Sequence, residues 1–103
     1  MAGGLKSFEE LHCWQQAQQL NRSIYQVSSK GPPANDFPLR EQIRRSSISV
    51  MSNIAKDFAS GSDVAFARFL RYSLRSAAEL KCQLYIAEDL EYIAQDELAD
   101  LFE

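Results

Sequence analysis

From Phe66 to Ala87, apolar and small side chains return every three or four residues: Phe66, Phe69, Leu70, Ser73, Leu74, Ala77, Leu80, Leu84 and Ala87. At about 100° per residue these positions collect into one stripe along a helix, whereas a half-buried strand needs strict alternation. The spacing predicts a helix over about 63–89. Such a stripe is stable when it is buried against other helices, so the expected fold class is all-α.

The flanking segments carry the punctuation of further helices. Ser7 followed by Glu10 is the S-x-x-E pattern of a capping box, and it predicts a first helix from there to about Ser29, closed by "KGPP", where Gly31 can take the left-handed cap. Residues 32–36 read as a linker. Pro38 suits a first helical turn and opens a second helix to about Ala59, which "SGSD" ends through Gly61 while Ser62 caps the next. "QDELADLFE" starts a fourth helix with acidic residues in its first turn, about two turns long. Long helices joined by short connections fold back on one another. The expected architecture is an antiparallel up-and-down four-helix bundle with a short last helix, one domain over residues 1–103.

Composition narrows the function. The chain has 103 residues, 46% hydrophobic and 24% charged, enough for one compact core, and self-association would add burial. A net charge of -3 and a pI of about 5.1 exclude a protein whose whole surface attracts nucleic acid, so any such role needs a local basic patch. Cys13 and Cys82 lie far apart, and "MAGGLKSFEEL" lacks an apolar signal core, which points to a reducing cytoplasm. No run suggests a membrane span. With one histidine, His12, and no paired ligand spacing, neither a metal nor a cofactor is expected.

"QIRRSSISVMSNIAKDF" mixes apolar, hydroxyl and basic residues in one helix. On a helical wheel Leu39, Ile43, Val50, Ile54 and Phe58 form the core side, with Met51 at its edge. Arg45, Ser49, Ser52 and Lys56 fall opposite, and Arg44 points about 100° from Arg45, beside Ile48 and Ala55. This polar strip reads either as a solvated or close-packed helix face, or as a set of phosphate donors. Arg68, Arg71 and Arg75 make a second line, at i, i+3 and i+7, directed away from the core; Glu79 continues it, consistent with partial charge pairing. Ile86 and Tyr72 share that outer side, where apolar anchors beside arginine suit a protein interface. Ser49, Ser52, Tyr72 and Ile86 are therefore candidate oligomer contacts. Arg44, Arg45, Lys56, Arg68, Arg71 and Arg75 are candidate nucleic-acid contacts.

"FEELHCWQQAQQL", "LREQIRRSSISVMSNIAKDF" and "FARFLRYSLRSAAELKCQLYIAEDLEYI" resemble, in order and spacing, the four-helix-bundle proteins encoded by intervening sequences in bacterial 23S ribosomal RNA genes. The resemblance runs from Phe8 to Leu101. Trp14, Gln42-Ile43-Arg44-Arg45, Ser52-Asn53-Ile54-Ala55 and Ala78-Glu79-Leu80 make it specific. It implies an antiparallel four-helix bundle that assembles as a ring-like homopentamer. A related branch, the accessory proteins of diversity-generating retroelement reverse transcriptases, is thought to bind nucleic acid through a basic surface, which implies RNA or another nucleic acid as partner. Met51 stands where the family usually has proline, which softens an expected kink, and Lys56, Asp57 and Ala59 replace a glycine-rich context.

Catalysis is not expected. His12 and Cys13 are adjacent and point about 100° apart on a helix, so they make no poised pair. His12 reads as a surface or interface residue and Cys13, on the arc of Ala17, Leu20 and Ile24, as a small core residue. Glu88 borders the apolar face, with Arg44 as a candidate partner. Two functions remain open: an RNA-associated binding module, and a scaffold oligomer that recruits a protein partner and binds no nucleic acid.

Overall fold

The structure is a computed structural model that describes residues 7–60, 63–96 and 98. It is all-α, and no strand occurs among the described residues. A 3-10 turn, Phe8–Glu10, leads into α1 (His12–Val27), followed by α2 (Gly31–Asn35), α3 (Phe37–Ser60) and α4 (Asp63–Asp89). The molecule is elongated, 44 × 19 × 19 Å. At about 1.5 Å per residue the 24 residues of α3 and 27 of α4 account for most of that length.

The first helix starts later than the capping box predicts. Ser7 is extended and makes no side-chain cap, so the capping pattern opens only the short 3-10 turn, and α1 starts after Leu11. Trp14 meets Phe8 edge to face at 5.1 Å, which folds the turn back onto α1. At the other end Ser28 closes α1: its Oγ donates to the Ile24 carbonyl at 2.7 Å. Gly31 takes a φ of 58°, the left-handed conformation expected of it, but then begins a helical turn of its own. The expected linker is thus α2, followed by Asp36, whose Oδ1 accepts the Leu39 amide at 3.2 Å and caps α3. α3 passes through Met51 unbroken.

α3 is the helix against which both α1 and α4 pack. Ile24, Ile43, Leu80, Leu84, Ala87, Ile93 and Leu98 form one buried cluster, and Ala17, Val50 and Ile54 a second, with Trp14, Met51 and Ala77 packed against it. Most of the expected stripe is therefore core. Two positions are not: Leu74 is 69% exposed and Cys13 is exposed. Leu74 lies at the edge of its stripe, and Cys13, although central on the wheel, lies in the first turn of α1. The Phe66 side chain, and Gly61 and Ser62, lie outside the described residues.

α4 ends in a six-residue reversal. The Glu91 amide bonds the Glu88 carbonyl at 2.9 Å and the Tyr92 amide bonds the Ala87 carbonyl at 2.8 Å, the pairing of a Schellman motif. Glu91 holds the left-handed position, φ 62°, usually given to glycine. The reversal returns Ile93 and Leu98 to the core. Gln95, Asp96 and Leu98 are helical, as the acidic start of a last helix predicts; the remainder of that helix lies outside the described residues.

Candidate nucleic-acid interface

Hydroxyls set how α3 meets α4. Ser49 Oγ and Ser76 Oγ are 2.9 Å apart, Ser73 Oγ donates to the Val50 carbonyl at 3.2 Å, and Asn53 Nδ2 donates to both the carbonyl and Oγ of Ser49 at 2.9 and 3.1 Å. Small side chains allow this close approach. Ser49 is therefore corrected from the outer side of α3 to the seam between two helices of one chain. Ser52 is half-buried, while Arg45 and Lys56 are exposed beyond the seam.

On α4, Arg68, Arg71 and Arg75 are all exposed, spread over about 10 Å of helix axis. Among the described residues, the side chains of Arg45, Lys56, Arg68, Arg71 and Arg75 make no ion pair and no hydrogen bond. The expected pairing with Glu79 does not form. Arginine preceding glutamate by four residues is the weaker orientation for a helical ion pair. Aromatic rings stand beside the arginines instead: Arg68 Cζ lies 5.4 Å from the Phe69 ring centre and Arg75 Cζ 5.8 Å from that of Tyr72. The Phe69 and Tyr72 rings meet edge to face at 5.9 Å. Ile86, 47% exposed, lies on the same side of α4 about 16 Å further along the axis than Arg75.

Arg44 belongs to a different environment. Its Nε donates to Ser28 Oγ at 2.9 Å, its Nη2 to Ser29 Oγ at 3.1 Å, and its Cζ sits 4.3 Å from the Tyr25 ring centre. With Ser47 Oγ donating to Asn21 Oδ1 at 2.9 Å, it ties α3 to α1. Arg44 is thus corrected: it is a clasp between helices rather than an outward cation, and its guanidinium is committed to α1 rather than to Glu88. The wheel gave its direction but not what stood there.

Sequence reasoning missed the end of the molecule where four segments converge. Tyr92 Oη donates to Asp36 Oδ2 at 3.0 Å, so the cap of α3 also anchors the reversal after α4. That bond, with burial and the neighbouring charge, raises the Tyr92 pKa above its ordinary value. Arg40 contributes from the same end, donating to the Ala34 carbonyl at 3.1 Å and stacking on Phe37 at 4.3 Å. Asp36 before a proline-led helix was a readable cap signal; its second role was not, since the partner lies 56 residues away. Asp57 was also missed. It is 0% exposed, and burial pushes its carboxyl from 3.8 up to about 6.

His12 and Cys13 are both exposed. Among the described residues, no group of His, Cys, Asp or Glu is placed to hold a metal ion, and no helix is long and apolar enough to cross a membrane. Among the described residues, the outer side of α4 combines exposed arginines that make no ion pair with exposed aromatic surface, and Arg45 and Lys56 stand exposed on the adjoining α3.

The family described as 23S rRNA-intervening sequence protein matches residues 9–103. No curated protein matches the chain at a significant level.

Proposed function

The chain belongs to the 23S rRNA-intervening sequence protein family, and from that membership we propose that it is a non-enzymatic, homo-oligomeric binding module that meets RNA through the outer arginines of α3 and α4. The observation that carries this reading is the set of exposed cations, Arg45, Lys56, Arg68, Arg71 and Arg75, with no carboxylate partner among the described residues. In a chain of net charge -3 such a strip is a local reversal of sign, and repetition in an oligomer multiplies it. An antiparallel up-and-down bundle suits the role, because it keeps both basic lines on rigid, adjacent helices. The contacts Asn21 with Ser47 and Ser28 with Arg44, and Ser49 with Ser76 beside Val50 with Ser73, support that arrangement.

The test is fluorescence anisotropy of labelled ribosomal RNA fragments titrated with the size-fractionated protein at about 50 and 200 mM salt. Binding that weakens at least about tenfold over that range supports contact with several phosphates. No binding at the lower salt overturns it. A second reading, a scaffold that recruits a protein partner, draws on the exposed apolar residues Leu74 and Ile86 of the same helix. It is favoured if Arg71→Ala breaks the oligomer apart.

A further inference from the structure

Resting on the RNA-binding reading above, we infer that the α4 strip takes single-stranded rather than duplex RNA, with an unstacked base laid on the ring of Tyr72. Duplex RNA presents phosphates and hydroxyls and keeps its bases stacked inside, so a site for it needs donors and cations alone. α4 offers something else. Phe69 and Tyr72 are interleaved with Arg68, Arg71 and Arg75, and Tyr72 shares one arc of the helix with Arg68 four residues before it and Arg75 three residues after.

The Tyr72 ring is 40% exposed, and the half-buried Phe69 holds it edge to face at 5.9 Å with an interplanar angle of 67°. Its orientation is therefore set before a ligand arrives, which lowers the ordering cost of binding. Arg75 lies near this ring, 5.8 Å from its centre, and is held there by no ion pair. A nucleobase is a flat π-surface of the kind that such a ring accepts. A base stacked there displaces the guanidinium, which turns to the adjoining phosphate and gains a charge-assisted hydrogen bond. Ser76, bonded to Ser49, keeps α3 beside this point, so Arg45 and Lys56 stand on the adjoining helix for neighbouring phosphates.

The test titrates the full chain, and its Tyr72→Ala, Tyr72→Leu and Tyr72→Phe variants, into a labelled oligouridylate and into a duplex RNA of equal nucleotide number. The wild type is expected to bind the oligouridylate more tightly than the duplex. Tyr72→Ala and Tyr72→Leu are expected to lose roughly 5- to 100-fold on the single strand, Tyr72→Phe to retain its affinity, and none to change duplex binding. Leucine keeps the apolar bulk but not the π-face, so recovery with leucine assigns the loss to packing and overturns the inference. Equal affinity for both RNAs, or an unchanged Tyr72→Ala, overturns it too and leaves salt-dependent binding by the arginines intact. If the wild type binds neither RNA at low salt, the RNA-binding reading falls and this one with it.

Discussion

Arg44 and Arg45 are neighbours in sequence with different work to do. The helical period separates their directions, and that much is legible from residues alone. It does not show that Ser28, Ser29 and Tyr25 wait where Arg44 points, because those partners sit about 16 residues back on another helix. Arg44→Ala removes two hydrogen bonds and a ring contact and leaves a polar gap, so it should lower unfolding free energy by about 1–2 kcal/mol in urea titrations. The slope of RNA affinity against salt should stay as it was. Arg71→Ala should do the opposite, leaving stability within about 0.5 kcal/mol and reducing that slope by about 1. Identical behaviour of the two variants would remove the distinction drawn between clasp and contact.

Helix ends show where local signals suffice. Gly31 announces a left-handed residue and is found in that role, whereas Asp36, read as linker, proves to be the cap of α3. The end of α4 announces nothing, since Glu91 occupies the left-handed position without being glycine. The packing of Tyr92, Ile93 and Leu98 against the core holds it there. Glu91→Gly should therefore stabilise the protein by about 0.5–1 kcal/mol, the relieved backbone strain exceeding the added freedom of the unfolded chain. A rise in denaturation midpoint with unchanged m-value is the expected readout; a fall would mean that the Glu91 side chain contributes more than its conformation costs. The stripes of α1 and α4 were legible as stripes, but their width was not. Leu74 sits on the edge of its stripe and Cys13 in the first turn of α1, and whether such a position is buried depends on which neighbour arrives.

For the molecule as a whole, the buried Asp57 makes stability a function of pH. Its folded pKa of about 6 lies above the ordinary 3.8, so the folded chain binds this proton more tightly than the unfolded chain. The contribution of Asp57 is then most favourable below 3.8, declines as pH rises from there to about 6, and is constant above. Thirteen further acidic residues titrate nearby in pH, so the comparison is with Asp57→Asn. Urea unfolding should show the variant gaining about 1–3 kcal/mol relative to wild type between pH 4 and pH 7. A pH-independent difference would place the carboxyl in the ordinary range. By itself the sequence determined the helical class, the core side of each long helix and the outward arginines of α4, because these follow from a 3.6-residue period and from side-chain polarity. Only the tertiary structure decided that Arg44 is a clasp, that Ser49 lies in a seam, that Tyr92 reaches Asp36 and that Cys13 and Leu74 stay exposed, because each depends on which distant segment comes to stand beside the residue.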